Sequence, residues 1–196
     1  CNNKATYYNS AVVGGASNTA SGQYGFVGAG QLNTASAQRS SIGGGESNTS
    51  SGACSTISGG KSNTASGIYS FIGGGYLNVS SSLSTVGGGV QNSNGGAGSF
   101  IGAGRCNVIV NTSECSTISG GYKNLACTSP YIFIGGGANN TGSGARSVIA
   151  GGQSNTASGG CSTIAGGQAN TSSGAYSFVG GGYGNRATGA FDVIVA

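Results

Sequence analysis

The sequence lacks most of the side chains that enzymes use for catalysis. Its 196 residues include no His, no Trp and no Met, a single proline, Pro130, and only 5% charged residues. Without His, the chain has no Ser-His or Cys-His nucleophile pair. Its three acidic residues, Glu46, Glu114 and Asp192, lie in different repeats and predict no carboxylate pair for hydrolysis. We therefore expect a protein that is not an enzyme and uses no cofactor.

Other absences exclude further classes of protein. No apolar run approaches the roughly 18 residues of a membrane-spanning helix, so we predict no membrane insertion. Seven scattered basic residues give a net charge of only +4, which predicts no nucleic-acid partner. The six cysteines never show a C-x-x-C spacing, so no metal site is expected. Collagen is excluded because the 43 glycines follow no Gly-X-Y period.

The sequence does contain one short repeat, present along its whole length. From Val12 to Val179, an Ile or Val is followed six residues later by an Asn in twelve of twelve cases. The arc from that Asn to the next Ile or Val is usually nine residues, but it is eight after Asn78, eleven after Asn107 and ten after Asn124. One corner of the repeat is therefore predicted to be geometrically fixed, whereas the other tolerates insertions as a surface turn does.

A repeat of about 15 residues suffices for one turn of a β-solenoid, with two short strands and two corners. Tyr-Ser-Phe-Ile is rich in β-forming residues, Asn-Thr-Ala-Ser supplies the second strand, and Gly-Gly-Gly makes a corner that needs positive φ or close backbone approach. No 3.6-residue period is present, which excludes helix. The sequence predicts an all-β fold, a parallel β-solenoid of about 13 rungs that forms a single domain over residues 1–196.

Strand alternation predicts which side chains face inward. In the first strand, the Ile or Val shares a face with the Ser two residues before it. In the second strand, the Asn shares a face with the Ala. Stacked rungs would then form an apolar ladder beside a hydrogen-bonded Asn ladder. Representative ladder residues are Ile42, Ile57, Ile72, Asn48, Asn63 and Asn78.

The opposite face of the first strand carries a recurring Phe. If Ile and Val fill the interior, these Phe residues lie outside as an apolar stripe, and such a stripe implies a partner. Self-association is the simplest partnership for a repeat protein, and three copies around one axis would close as a homotrimer. The predicted self-association stripe consists of Phe26, Phe71, Phe100, Phe133 and Phe178.

The region around the two insertions carries further candidates. One disulfide among Cys106, Cys115 and Cys127 would pin the irregular rungs, whereas the alternative treats such cysteines as small buried apolar residues. Asn111 begins a sequon in the longest insertion and is the best glycan candidate, although the repeat itself generates such triplets by chance. We also expect any specific contact surface to lie in residues 106–131, where the regularity breaks.

A second level of repetition lies above the single repeat. Residues 39–78 match residues 146–185 at an offset of 107. This match indicates either duplication of a multi-repeat block or a shared rule for filling neighbouring layers. In both blocks Arg, Cys and Tyr occupy the same position of successive repeats: Arg39, Cys54 and Tyr69, then Arg146, Cys161 and Tyr176.

The clearest copies of the repeat read TASGIYSFIGGGYLN (64–78) and TSSGAYSFVGGGYGN (171–185). They resemble the head repeats of trimeric autotransporter adhesins (the YadA-like head) and are similar to repeat stretches in phage tail fibres and in fibre-like proteins of large algal viruses. The resemblance implies a left-handed parallel β-roll assembled as a homotrimer. It further implies an extracellular fibre or adhesive head on a cell or virion surface, with a host-surface receptor or glycan as its partner.

Two other functions remain open from the sequence. Recurring Thr-x-Ser triplets, such as Thr34-Ala35-Ser36, would form the outward ladder of an ice-binding solenoid, although Val79 and Leu125 interrupt that ladder. Neither end of the sequence shows an obvious capping segment, so a filament subunit that stacks end to end is the second alternative.

Overall fold

The computed structural model describes residues 2–195 and confirms the all-β class. These residues form a parallel β-solenoid of about 13 turns and contain no helix, so none is present that is long and apolar enough to cross a membrane. The chain divides into two compact units, Cys1–Asn94 and Gly95–Ala196. Each turn contributes two strands of only two residues.

The strands of both units are numbered in chain order. The first unit contains β1 (Lys4–Ala5), β2 (Ala11–Val12), β3 (Thr19–Ala20), β4 (Phe26–Val27), β5 (Thr34–Ala35), β6 (Ser41–Ile42), β7 (Thr49–Ser50), β8 (Thr56–Ile57), β9 (Thr64–Ala65), β10 (Phe71–Ile72), β11 (Val79–Ser80), β12 (Thr85–Val86) and β13 (Ser93–Asn94). The second unit contains β14 (Phe100–Ile101), β15 (Val108–Ile109), β16 (Thr117–Ile118), β17 (Leu125–Ala126), β18 (Phe133–Ile134), β19 (Thr141–Gly142), β20 (Val148–Ile149), β21 (Thr156–Ala157), β22 (Thr163–Ile164), β23 (Thr171–Ser172), β24 (Phe178–Val179), β25 (Arg186–Ala187) and β26 (Val193–Ile194).

Within each unit, every strand pairs in parallel with the corresponding strand of the next turn. In the first unit Thr34 lies opposite Thr49, and Phe71 lies between Thr56 and Thr85. A third backbone ladder, which the sequence did not predict, follows the glycine corner as single-residue parallel bridges. In the first unit it runs through Ala16, Gln31, Glu46, Lys61, Tyr76 and Val90, and in the second through Arg105, Tyr122, Ala138, Gln153, Gln168 and Tyr183.

The interior of each unit is filled mainly by four kinds of residue. The Ile or Val of each even-numbered strand points inward, as does the Ser two residues before it, and Asn and Ala line the opposite side. Ile42, Ile57 and Ile72 are fully buried. Each such side chain contributes roughly 1.5–3 kcal/mol through removal of apolar surface from water.

The Asn ladder links the glycine corners of successive turns. Asn63 Nδ2 donates to the Gly59 carbonyl of its own turn at 3.2 Å and to the Gly75 carbonyl of the next turn at 3.0 Å. Its Oδ1 accepts the backbone N–H of Asn78 at 2.9 Å. Because the amide must reach a carbonyl four residues earlier, this arc has a fixed length, which explains the constant six-residue spacing from Ile57 to Asn63. The fully buried Asn48 and Asn78 repeat the arrangement.

The insertions lie outside the arc that the ladder Asn spans. The first adds residues after β15, where Ser113 donates its backbone N–H to the Val110 carbonyl at 2.9 Å in a surface turn. The second follows β17 and carries Pro130. Both insertions therefore leave the strand register on either side intact, with Val108 opposite Leu125 and Leu125 opposite Thr141.

The irregular turns of the second unit enclose two additional isoleucines. Ile109 lies where other turns place Ala or Ser, Ile132 lies where other turns place Ser, and both are buried. A Cβ on Gly142 would overlap the Cγ2 atom of Ile132, and one on Gly96 would lie 3.0 Å from Ile109 Cγ2. Gly142 therefore provides the space that Ile132 fills, whereas Gly96 lies even closer to the Ser113 carbonyl oxygen and the Ser99 hydroxyl than to Ile109.

Candidate interaction surfaces

The candidate surfaces are columns of outward side chains rather than a concave site. Residues 2–195 form no detectable pocket and no cluster of His, Cys, Asp or Glu able to hold a metal ion. Three such columns are described below: the Phe column on the even-numbered strands, the corner column on the turn between the two strands, and the Thr column on the odd-numbered strands.

The Phe column is the predicted self-association stripe, and its rings are only partly exposed. The exposed fraction is 39% for Phe26, 38% for Phe71, 43% for Phe100 and 41% for Phe133, and Phe178 is half-buried. Each ring lies against the glycine two residues later. The Cε1 atom of Phe71 would be 3.6 Å from a Cβ on Gly73, and that of Phe133 would be 3.4 Å from one on Gly135.

Small or β-branched residues separate the Phe rings within the column. In the first unit Ser41 and Thr56 stand between Phe26 and Phe71. In the second unit Thr117 stands between Phe100 and Phe133, and Val148 and Thr163 stand between Phe133 and Phe178. The column therefore presents spaced aromatic ridges with shallower positions between them.

The corner column lies on the turn between the two strands. We give this name to Tyr24, Arg39, Cys54 and Tyr69 in the first unit and to Tyr131, Arg146, Cys161 and Tyr176 in the second. The Arg39 guanidinium lies 6.0 Å from the centre of the Tyr24 ring, and the Arg146 guanidinium lies 5.7 Å from that of Tyr131. Both pairs are cation–π contacts between successive turns.

Backbone geometry at the corner column is left-handed. The φ angles are +56° at Tyr24 and +55° at Arg39, and +63° at Tyr131 and +58° at Arg146. Each N–H donates to a carbonyl of the preceding turn, as Arg39 does to Gln23 at 2.8 Å. Hydrogen bonds between successive turns therefore fix the backbone of the corner, and the corner side chains point outward from it.

The Thr column lies on the outer face of the odd-numbered strands. In the first unit Thr19, Thr34, Thr49 and Thr64 stand in direct register, and Val79 follows them. In the second unit the uninterrupted stretch is Thr141, Thr156 and Thr171, between Leu125 and Arg186. Each unit thus carries a short hydroxyl ladder with bulkier residues at its edges.

The structure places the three cysteines of the predicted cluster at three different positions of the turn. Cys106 directly precedes the ladder residue Asn107, Cys115 lies at an exposed corner, and Cys127 directly follows β17. All three are present as thiols, as are Cys54 and Cys161. Burial raises the pKa of the Cys127 thiol above its ordinary value.

The glycan candidate Asn111 lies exposed in the surface turn after β15. The ladder sequons at Asn48, Asn78 and Asn170 are fully buried, so their side-chain amides face the interior. The sequon residue Asn139 is also exposed, at a bend of the glycine corner, whereas Asn111 lies in the surface turn of the longest insertion.

Sequence reasoning missed part of the corner column. Arg39, Cys54 and Tyr69 were recognised as a repeating set, but Tyr24 and its stacking on Arg39 were not. The offset of 107 that pairs Arg39 with Arg146 also pairs Tyr24 with Tyr131, so the signal was present one repeat upstream.

No protein-family model and no curated protein matches this sequence.

Proposed function

We propose that this chain is a structural fibre or adhesin segment, an exposed rigid rod or head that attaches to a surface or recognises a host. One observation carries the proposal. The interior is satisfied by its own ladders, while the exposed aromatic side chains stand in columns on successive turns. Such columns suit contact with an extended or repeating partner, and no pocket is present in residues 2–195 for a small substrate.

The finer form of the proposal is a left-handed roll with rungs of about 15 residues, assembled as a homotrimer outside the cell or on a virion. Register offsets such as that between Thr34 and Thr49 support the rung length. The partly exposed rings of Phe71 and Phe133 support an assembly face, because burying an aromatic side chain against a partner contributes strongly to association.

Absolute mass by light scattering over a range of concentrations tests the proposal. We expect the mass of three chains. Replacing all five Phe residues of the column by Thr, the residue found at Thr56 and Thr163 of the same column, should give monomers. The matched control replaces Tyr76 and Tyr183 of the third ladder by Gln, the residue found at Gln31 and Gln168 of the same ladder, and should stay trimeric. Circular dichroism establishes that both variants remain folded.

Two mass results contradict the homotrimer. A wild-type chain that is monomeric at every concentration removes the self-association role of the Phe column. An open series of large masses instead supports the filament alternative, in which subunits stack end to end. A trimer that persists in the Phe-to-Thr variant places the contact on another face.

Ice binding is a second candidate function because the Thr column stands in register. Thr19, Thr34, Thr49 and Thr64 repeat at the strand spacing of about 4.8 Å, which suits ordering of water along the ladder. Inhibition of ice recrystallisation by the wild-type chain would support it. The activity should then vanish in Thr34→Tyr/Thr49→Tyr and persist in the corner variant Tyr69→Asn.

A further inference from the structure

We propose that the corner column binds an anionic polysaccharide, with sugar rings on the faces of its tyrosines and carboxylate or sulfate groups on its arginines. The inference deepens the proposed function, on which it rests, by naming the class of partner and the side chains that contact it. It concerns Tyr24, Arg39 and Tyr69 in the first unit, and their counterparts in the second unit are Tyr131, Arg146 and Tyr176.

The first argument is conformational. A left-handed backbone disfavours side chains such as Tyr and Arg, and Gly or Asn adopts it most readily. The same corner is occupied by Asn9 with a φ of +53° and by Gly98 with a φ of +67° in other turns. The backbone conformation of the corner therefore does not require a Tyr at position 69, where Tyr69 has a φ of +55°. Unfavourable backbone conformations retained at exposed positions point to function.

The second argument compares the two copies of the block. A second left-handed position directly precedes the Asn ladder in each turn. Its residues differ between the copies in three turns, where Leu32 corresponds to Asn139, Ser62 to Ala169 and Leu77 to Gly184, and agree in one turn, where Ser47 corresponds to Ser154. All four positions of the corner column are identical between the copies at the same offset. The identity of the corner side chains therefore does not follow from their backbone conformation.

The third argument is charge. Within residues 2–195 neither Arg39 nor Arg146 is ion-paired, since the one ion pair there joins Lys61 to Glu46. Each guanidinium instead lies over a tyrosine ring, which orients the cation without neutralising it. An oriented guanidinium is suited to bidentate recognition of a carboxylate or sulfate. Tyr69 and Tyr176 lie two turns further on and are 63% and 60% exposed. The Tyr176 ring stacks on Phe191 at a centroid distance of 5.3 Å, so only its opposite face is available to a sugar ring.

The fourth argument is shape, and it favours a polysaccharide over an acidic protein. The column is one side chain wide, and successive turns are about 4.8 Å apart. A globular partner needs about 800 Å² on each side for a stable complex. A linear polymer needs only a line of contacts, and many weak contacts along it add through multivalency. The occupant is therefore an extended chain with repeating rings and negative charges.

Binding of the whole chain to immobilised heparin and polygalacturonate tests the inference, with neutral dextran and poly-L-glutamate as comparison polymers. We expect binding to at least one of the two anionic polysaccharides, none to dextran, and at least tenfold weaker binding to poly-L-glutamate. Absence of binding to both polysaccharides overturns the inference. Equal binding to poly-L-glutamate also overturns it, in favour of an acidic protein partner.

Charge-matched variants locate the contact. Arg39→Gln/Arg146→Gln should weaken polysaccharide binding at least tenfold. The control Lys61→Gln/Arg186→Thr removes the same two charges elsewhere, using the residues found at Gln168 and Thr171, and should weaken binding less than threefold. Equal losses in the two variants would mean that only net charge matters, and would refute the corner column as the site.

The tyrosines are tested by Tyr24→Asn/Tyr131→Asn. Because Asn favours the left-handed conformation, the midpoint of unfolding should stay the same or rise, while polysaccharide binding falls at least fivefold. A fall in the unfolding midpoint with unchanged binding would assign these rings a structural role instead. Masses measured on the same samples keep the two proposals separate. A trimer that binds no polysaccharide contradicts only this inference, and a monomer that binds contradicts only the homotrimer.

Discussion

One pair of corresponding turns in the two units is filled by different interior residues. In the first unit Gly25 precedes Phe26, and Ala35 fills the neighbouring position of the next turn. In the second unit the residues at the same offset of 107 are Ile132 and Gly142. A Cβ on Gly25 would lie 2.9 Å from the Gly22 carbonyl oxygen, whereas a Cβ on Gly142 would overlap Ile132 itself. The large Ile132 side chain is therefore accommodated by the absence of a side chain at Gly142.

Elsewhere the glycine corner and the Asn ladder agree between the two units, while part of the exposed surface differs. The third glycine of the corner and the ladder Asn are present in both blocks, as Gly60 and Asn63 and as Gly167 and Asn170. The exposed third ladder has diverged, because Glu46 and Lys61 of the first block correspond to Gln153 and Gln168 of the second. If the interior specifies the fold, substitutions at shared positions must be equally harmful in both units.

The largest effect is expected at the third glycine of the corner. Gly60 has a φ of +90° and Gly167 a φ of +82°, and a Cβ on either would collide with the carbonyl oxygen of the equivalent glycine one turn on. We expect Gly60→Ala and Gly167→Ala each to lower the free energy of unfolding by about 4 kcal/mol or more, measured by denaturant titration.

The middle glycines supply the control. Gly59 and Gly166 have no atom within 4 Å of an added Cβ, so Gly59→Ala and Gly166→Ala should change the free energy of unfolding by less than about 1 kcal/mol. A Gly60→Ala variant as stable as Gly59→Ala would contradict the close approach of successive corners. A large loss in one unit alone would show that the two corners are not equivalent.

A smaller loss is expected in the Asn ladder. Asn63→Ala and Asn170→Ala each remove two donors to glycine carbonyls and the acceptor for the next Asn N–H, all of them in the interior. We expect each to lower the free energy of unfolding by about 3 kcal/mol in the same titration. The neighbouring Ser62→Ala introduces the residue that the second block has naturally and should be neutral. Equal stability of Asn63→Ala and Ser62→Ala would refute the ladder as a stabilising element.

The compensating pair in the second unit gives the next effect. Gly142→Ala should lower the free energy of unfolding by about 2 kcal/mol, because the added methyl group overlaps Ile132. Ile132→Ser introduces the residue usual at that position and removes the overlap. The double variant Gly142→Ala/Ile132→Ser should therefore be more stable than the sum of the two single changes predicts. Additive losses would show that Gly142 and Ile132 do not share one space.

These effects indicate how far the sequence alone specifies the structure. The six-residue arc from Ile57 to Asn63 predicted a fixed corner, because a length constraint leaves a period that can be counted. The packing of Ile132 against Gly142 could not be predicted in this way, since it depends on which side chains of successive turns meet. The third ladder could not be predicted from the sequence, because its positions, such as Gln31 and Tyr76, have no single residue type in common and pair through the backbone alone. The contact between Arg39 and Tyr24 required the left-handed corner, which aims both side chains outward.

The smallest effect is expected where the two blocks have diverged most. Lys61 Nζ lies 3.0 Å from Glu46 Oε1, and both side chains are about half exposed, so solvent and salt screen the pair. The double variant Glu46→Gln/Lys61→Gln reproduces the second block and should change the free energy of unfolding by less than about 0.5 kcal/mol, at low and at high salt alike. A salt-dependent loss above 1 kcal/mol would contradict this and make the ion pair part of what stabilises the first unit. A neutral result would mean that the residues at positions 46 and 61 can change between the blocks because the free energy of unfolding does not depend on them. The left-handed backbone disfavours the corner side chains that both blocks share, and we propose contact with a partner as the reason for their presence.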